Sequence, residues 1–162
     1  FQERAERQML DIKEIRETWR CCPEVIQFAD RMFPSGLFPE TRSNVVVPEG
    51  VHHGVWLVER SHIDEYIKLY SPACYRDSIR TKISGTASAI NFGHCKGATE
   101  DHVLIFPTGT LRDFWKGKKG NLANKSRMNA YLAITRARWS VAICVDDVRG
   151  YSLPIWKPDP GK

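Results

Sequence analysis

The 162-residue sequence contains no C-x-x-C pair, no long apolar run and no recognisable signal peptide. Its five cysteines comprise the adjacent pair Cys21-Cys22 and three isolated residues. That spacing argues against a zinc site or a disulfide framework, and it predicts reduced thiols in an intracellular protein. Without about 20 consecutive apolar residues no membrane contact is predicted, and we expect a cytoplasmic location. The histidines have no ligand-like spacing with acids or cysteines, so no metal site is predicted.

Strong clustering of charge is also missing. The 24 Lys and Arg residues exceed the 19 Asp and Glu residues by a formal net charge of +5. The excess mildly favours a polyanionic partner, but it is spread out, and the main basic run is Lys116-Gly117-Lys118-Lys119. Phe114 and Trp115 precede that run, as aromatics do on single-strand binding surfaces, although core packing of both rings is the favoured interpretation. Length and a hydrophobic content of 42% suit one globular domain.

Hydrophobic periodicity predicts strands and helices in alternation. Strands are expected at 54–58, 87–92, 103–106 and 139–146, with further short strands within 11–19 and at 45–47. Helices are expected at 1–9, 23–33, 61–70, 110–115 and 124–138, with Ser61 and Asn124 as N-caps of the third and the last. Polar connections are expected at 72–82 and 93–101. This order predicts an α/β fold over residues 1–150, with a mostly parallel sheet flanked by helices, and an irregular tail at 151–162.

The segment 129–138 organises this pattern. It is predicted to be a helix that ends in Arg136 and Arg138 and runs almost directly into the last buried strand. Taken alone, the two arginines are best interpreted as solvated. In parallel sheets, however, ligands bind beyond the carboxyl ends of strands. At such an edge we expect three segments to lie: the Trp19-Arg20 turn, the 93–101 turn and the arginine end of the last helix.

These three segments resemble motifs of superfamily 1 helicases of the UvrD/Rep type. Residues 95–105 (C-K-G-A-T-E-D-H-V-L-I) are similar to motif V, S-K-G-L-E-F-D-x-V-x-I. Residues 131–138 (Y-L-A-I-T-R-A-R) are similar to motif VI, Y-V-A-x-T-R-A-R. Residues 18–23 (T-W-R-C-C-P) are similar to motif IV, N-Y-R-S-x-x-x-I. The motifs occur in the family's order and frame nearly the whole chain.

The resemblance implies the second RecA-like domain, called 2A, of such a helicase. In these enzymes ATP binds between two RecA-like domains, and arginines of motifs IV and VI reach its γ-phosphate from the second domain. By position Arg20 and Arg136 carry these catalytic roles, in which a guanidinium stabilises transition-state charge. Arg138 lies outside the matched position and is expected to be a surface or ion-pairing residue.

The resemblance also implies nucleotide and DNA contacts. Nucleotide binding falls to Gly97, Thr99, Glu100 and Thr135. The family's ribose-binding glutamate aligns with Thr99, and Glu100 falls where an aromatic is usual, so either residue is left as the ribose contact. DNA binding falls to Asn91, His94 and Lys96, with ordering of the turn as the alternative for Lys96.

Two motifs of a complete helicase are missing. No G-x-x-x-x-G-K-[ST] sequence and no Walker B strand occur, so the chain alone should bind ATP poorly and not hydrolyse it. Only about 70 residues separate motifs IV and V, which leaves no room for the 2B insertion of the best-known members. The resemblance thus implies half of an ATP-dependent DNA helicase. ATP and Mg²⁺ would be shared with an N-terminal RecA-like domain, and single-stranded or partly duplex DNA would be the partner. The alternative is a non-catalytic RecA-like module that binds nucleic acid or protein.

Overall fold

Six parallel strands form one sheet in the computed structural model, which describes residues 16–95, 97–118 and 122–161. The order across the sheet is β5-β4-β6-β7-β3-β8. Its strands are β3 (Gly54–Glu59), β4 (Ala73–Arg76), β5 (Ala89–Asn91), β6 (Glu100–Phe106), β7 (Ala137–Val145) and β8 (Ile155–Trp156). Every neighbouring pair runs parallel, so the predicted α/β fold with a parallel sheet is confirmed.

Four helices and a small second sheet complete the described fold. The helices are α1 (Pro23–Asp30), α2 (Ile63–Tyr70), α3 (Gly109–Trp115) and α4 (Asn124–Ile134). Short 3-10 turns cover Arg60–His62 and Phe92–His94. Strands β1 (Glu17–Thr18) and β2 (Arg42–Ser43) pair in parallel beside α1. The helix predicted at 1–9 lies outside the described residues, and none of the described helices has the length and apolar character to cross a membrane.

The central strands are apolar on both faces. Residues Val103 to Phe106 of β6 are at most 1% exposed, as predicted for a strand in the middle of a covered sheet. Alternate residues of β6 point to opposite faces. Val103 and Ile105 join the core that includes residues of α1 and α4, whereas Leu104 and Phe106 join the core that includes Ile63 of α2.

Two predictions about strands were wrong. The segment 72–82, predicted as a polar connection, contains β4, whose Cys74 and Tyr75 are buried between the half-buried Ala73 and Arg76. Residues 45–47 form no strand, although β2 lies just before them. Four residues are too few to show a periodicity of two, so neighbouring strands decide the state of such segments. The tail is not wholly irregular either, because β8 pairs with Leu57 and Val58 of β3.

Helix boundaries also differ from the predictions. Ser61 lies inside a 3-10 turn, and the N-cap of α2 is His62, whose side chain makes no capping hydrogen bond. Asn124 is the first residue of α4, not its cap. The helix α4 ends at Ile134, which places Arg138 in β7. By contrast, Pro23 and Glu24 open α1 as expected, and the described part of residues 31–99 supplies strands and α2 of this same fold, not an inserted domain.

His52 lies in an aromatic cluster on the α2 side of the sheet. Its ring stacks on Tyr70 at 4.0 Å between centroids, and its Nε2 lies 3.1 Å from the Tyr66 hydroxyl. Tyr66 in turn reaches the buried Ser140 hydroxyl, which lies 2.7 Å from Nδ1 of His102. Burial lowers the pKa of His52 to about 4, with smaller contributions from His102 and His53, and burial lowers the pKa of His102 too. Both imidazoles are therefore neutral in the native fold near neutral pH.

The His52 cluster should make the fold sensitive to acid. Below about pH 6.5 the unfolded chain protonates His52 while the native chain does not, so stability present above that pH is lost as the pH falls towards about 4. We expect the free energy of unfolding, measured in urea, to fall over this range in the wild type. His52→Gln should give a shallower dependence, whereas His94→Gln, a change at an exposed histidine, should keep the wild-type slope. Equal slopes in all three proteins would contradict this assignment.

Candidate functional site

The three motif-like segments meet at one end of the sheet. Arg20 donates from Nη1 to the carbonyl oxygen of Thr135 at 3.4 Å. Arg136 donates from Nη1 to the carbonyl oxygen of Ala98 at 3.3 Å. The predicted proximity of the Arg20 turn, the 93–101 turn and the end of α4 is therefore present. Trp19, Arg20 and Thr135 line one cleft, and Arg136 follows Thr135 directly in the chain. We call this cleft, together with the adjoining Arg136, the arginine cleft.

The edge of the sheet at which these segments meet differs from the prediction. Glu100 and Ala137 are paired first residues of β6 and β7, and Arg136 directly precedes β7. The arginine cleft thus lies at the amino ends of the two central strands, not beyond carboxyl ends. Arg136 lies at this edge because it follows the helix α4 and precedes the first residue of β7.

Backbone hydrogen bonds hold the three segments together. The amide of Glu100 donates to the carbonyl oxygen of Arg136 at 2.8 Å, which joins the 93–101 turn to the end of α4. The amide of Cys22 donates to the carbonyl oxygen of Arg138 at 2.8 Å, which joins the Arg20 turn to β7. Such bonds are insensitive to side-chain identity, so the framework of the cleft depends on the fold.

The Arg20 turn is fixed by a threonine. The hydroxyl of Thr18 accepts from the amides of Arg20 and Cys21 at 3.2 and 3.4 Å, a local turn that projects the two intervening side chains. The arginine cleft lies beside this turn and has a volume of about 470 Å³. Trp19 lines this cleft with 78% of its surface exposed, which is unusual for so large an apolar side chain. Trp19 was not among the residues predicted to contact a ligand, although its place between Thr18 and Arg20 was a usable signal.

The two arginines and their neighbour Arg138 have different surroundings. Arg136 is half-buried and also donates from Nε to the carbonyl oxygen of Leu132 at 3.2 Å. Among the described residues, no carboxylate forms an ion pair with Arg20 or Arg136. Arg138 is exposed and pairs with Asp101 at 3.3 Å, as predicted for a surface or ion-pairing residue. Arg20 and Arg136 are thus bonded to backbone carbonyl oxygens, whereas Arg138 forms an ion pair at the surface.

The residues predicted to bind nucleotide lie near the cleft but differ in their exposure and in whether their side chains already form hydrogen bonds. Thr99 is exposed, Glu100 is half-buried, and Gly97 has a φ of +86°, a conformation that favours glycine. The hydroxyl of Thr135 donates to the carbonyl oxygen of Tyr131 at 2.9 Å, so this side chain is engaged within its own helix. Of these side chains, Thr99 and Glu100 are the ones without such an internal bond among the described residues.

Of the residues predicted to bind DNA, the structure describes Asn91 and His94. His94 is exposed at the end of a 3-10 turn. Asn91 lies at the carboxyl end of β5, where its Oδ1 accepts from Nε of Arg76 at 2.7 Å. Lys96 lies outside the described residues. Phe114 and Trp115 pack against the core, which agrees with the packing interpretation of that aromatic pair.

Metal-binding side chains are scattered. The described residues contain no group of three or more His, Cys, Asp or Glu side chains arranged to hold a metal ion. The arginine cleft therefore offers cations, an aromatic ring and backbone groups to a ligand. That set suits an anionic ligand with a planar group better than it suits a cation.

Comparisons with protein-family models and with curated proteins gave no match. Among solved structures, the chain is similar to the PRRSV helicase, with 20% identity and a TM-score of 0.49 over 88% of this chain and 26% of that one. A crystal structure of PRRSV nsp10 (helicase) gives 21% identity and a TM-score of 0.47 over 89% of this chain and 27% of that one. The C-terminal domain of a possible DNA helicase from Lactobacillus plantarum gives 11% and 0.48 over 84% of this chain and 98% of that one. The chain thus spans about a quarter of the length of the PRRSV chains.

The thiol of Cys21 lies close enough to Arg20 and Arg136 for both charges to affect its pKa. Burial raises the pKa of its thiol from 9.0 to about 11, although the nearby Arg20 and Arg136 guanidiniums oppose that rise. Both cations therefore act on one point at the base of the cleft. All five thiols are free and buried, and the pKa values of Cys74 and Cys144 are likewise raised to about 11.

The native thiols should be unreactive. Raising a pKa by two units lowers the thiolate fraction about a hundredfold at pH 8, and the thiolate is the reacting species. We expect Ellman's reagent at pH 8 to label the native chain slowly and the same chain in guanidinium chloride rapidly. Rapid labelling of Cys21 in the native chain, located by mass spectrometry, would show that the base of the cleft is open.

Proposed function

We propose that the chain is the second motor domain of an ATP-dependent nucleic-acid helicase or translocase, of the UvrD/Rep type of superfamily 1. In this proposal the arginine cleft supplies half of an ATP site, and a first RecA-like domain supplies the other half. The observation that carries the proposal is that Arg20 bonds to the carbonyl oxygen of Thr135, more than a hundred residues along the chain, beside Arg136, which bonds to Ala98 of the 93–101 turn.

The chemistry of phosphoryl transfer suits two fixed guanidiniums. Negative charge spreads over the transferred phosphoryl oxygens in the transition state, and a positioned arginine stabilises it. Arg136 is held by two carbonyl oxygens and Arg20 by one, so each is oriented before a ligand arrives. Preorganised donors are effective because they need little rearrangement during the reaction.

The remaining parts of a nucleotide have suitable partners at the same cleft. Trp19 offers an exposed aromatic face on which a base can stack, next to the phosphate-binding arginine. Thr99 and Glu100 precede or begin β6, and either would serve a ribose hydroxyl. Mg²⁺ would be held by the first domain, which also would supply the phosphate-binding loop that this sequence does not contain.

Arg136 and Arg138 provide a matched test in the complete enzyme, with the first RecA-like domain present. Arg136→Ala should lower nucleic-acid-stimulated ATP turnover at least about a hundredfold, because an arginine finger contributes about a thousandfold or more. Arg138→Ala removes the same charge two residues further along the chain, where the arginine forms an exposed ion pair with Asp101. This change should alter ATP turnover by less than about threefold. Steady-state ATPase assays measure both.

Binding assays distinguish this role from loss of the fold. Nucleic-acid affinity of Arg136→Ala should stay near the wild-type value, and so should its thermal unfolding midpoint. Unchanged ATP turnover in this variant would refute the role of Arg136. It would then favour the alternative, a RecA-like binding module without catalysis.

The isolated chain gives a separate test. Purified alone, with ATP and Mg²⁺, it should show no measurable hydrolysis because it holds only the arginine half of the site. Adding the first domain in trans should restore turnover if the two halves associate. Robust magnesium-dependent turnover by the chain alone would overturn the half-site proposal.

A further inference from the structure

A second basic pocket lies at the opposite edge of the sheet. Strands β6 and β7 end at Phe106 and Val145, and the residues that follow them border a pocket of about 310 Å³. Four cationic side chains line this pocket: Arg60, Arg80, Lys82 and Arg112. They come from three separate parts of the chain, so the fold, not a local run of charge, assembles them.

The pocket has a surplus of positive charge. Asp146 is the one carboxylate among its lining residues, and it pairs with Nε of Arg60 at 2.6 Å. The hydrogen bond from Arg60 lowers the pKa of Asp146, as do the charges of Arg112 and Lys82. Asp77 lies nearby, where it accepts a hydrogen bond from the Thr108 hydroxyl. Three lining cations are left without a carboxylate from the lining.

Arg60 fixes the shape of the pocket. Besides Asp146, it donates from Nη1 to the carbonyl oxygen of Lys82 at 3.2 Å and to the Ser84 hydroxyl. These bonds tie the 78–84 segment to the end of β7. Arg80 and Lys82 are exposed on that segment, so their charged ends are available at the rim.

The polar lining suits tetrahedral oxyanions. Ser78 and Thr81 lie among the cations, whereas the Thr108 hydroxyl is engaged with Asp77. The Thr81 hydroxyl is buried and has no hydrogen-bond partner among the described residues. Ile79, which is 71% exposed, stands beside Arg80. Cations and hydroxyls next to an exposed apolar side chain match a ligand that alternates phosphates with less polar sugars and bases.

We propose that this pocket binds the phosphodiester backbone of a single nucleic-acid strand, with Arg80 and Lys82 contacting successive phosphates. It is separate from the arginine cleft, because the seven residues of β6 place about 20 Å between the two edges. The choice of a nucleic-acid ligand rests on the proposed function. The charge and geometry of the pocket are observed independently of that proposal. The residues involved differ from Asn91, His94 and Lys96, the DNA contacts that the resemblance to helicase motifs implies.

The test compares two double variants with the same change in net charge. Arg80→Ala/Lys82→Ala removes two rim cations, and Lys125→Ala/Lys157→Ala removes two exposed lysines elsewhere. Fluorescence anisotropy with a labelled oligothymidine of about 12 nucleotides measures binding at several salt concentrations. We expect the rim variant to bind at least about tenfold more weakly than the wild type. Its salt dependence should flatten by about 0.7 in log–log slope for each phosphate that a rim cation no longer neutralises. The control should bind within about twofold of the wild type.

Competition distinguishes a backbone from a free phosphate. Inorganic phosphate, added at constant ionic strength, should leave the oligonucleotide bound, because one phosphate cannot replace several contacts. Equal affinity of the two double variants would overturn the proposal, as would complete displacement by millimolar phosphate, which would indicate a site for the free anion. Circular dichroism confirms that both variants are folded. The assay contains no ATP, so its failure is distinct from a failure of the Arg136 test.

Discussion

The parallel pairing of β6 with β7 is the interaction on which the rest of the structure depends. It sets Glu100 opposite Ala137 and carries the apolar residues of both strands into the middle of the sheet. Because α4 runs directly into β7, the same pairing fixes where Arg136 stands relative to the 93–101 turn. Because residues of both strands are buried on both faces of the sheet, burial favours the pairing itself, and the hydrogen bond from the Glu100 amide to the Arg136 carbonyl oxygen fixes where it begins.

One sheet thus presents two basic edges with different characters. At the amino ends, Arg20 and Arg136 are bound to carbonyl oxygens and are held in fixed directions. At the carboxyl ends, Arg60 is the fixed group and the rim cations Arg80 and Lys82 are exposed. Fixed guanidiniums suit recognition of a developing charge, and exposed cations suit a mobile polymer whose phosphates differ in position. This difference in rigidity supports the proposal that the arginine cleft binds the nucleotide and that the pocket around Arg60 binds the nucleic-acid strand.

Much of the fold could be predicted because its longest elements have strong patterns. The apolar run Val103 to Phe106 identified a central strand, and Pro23 with Glu24 identified the start of α1. The short elements could not be predicted. Strands β4 and β8 have four and two residues and owe their state to hydrogen bonds with neighbours. Ser61 was a good cap by composition, but a 3-10 turn before α2 moved the helix start past it.

The sequence by itself determined the class of fold, because periodicity is a local property of a chain, and the resemblance to helicase motifs singled out Arg20 and Arg136. Only the tertiary structure decided which edge of the sheet holds them, since that depends on whether a segment precedes or follows its strand. It also supplied the partners of the two neighbouring arginines, since Arg136 bonds to the carbonyl oxygen of Ala98 and Arg138 pairs with Asp101. The pocket around Arg60 could not be predicted from the sequence, because Arg60, Arg112 and Asp146 are distant in the chain and become neighbours only when parallel strands end side by side.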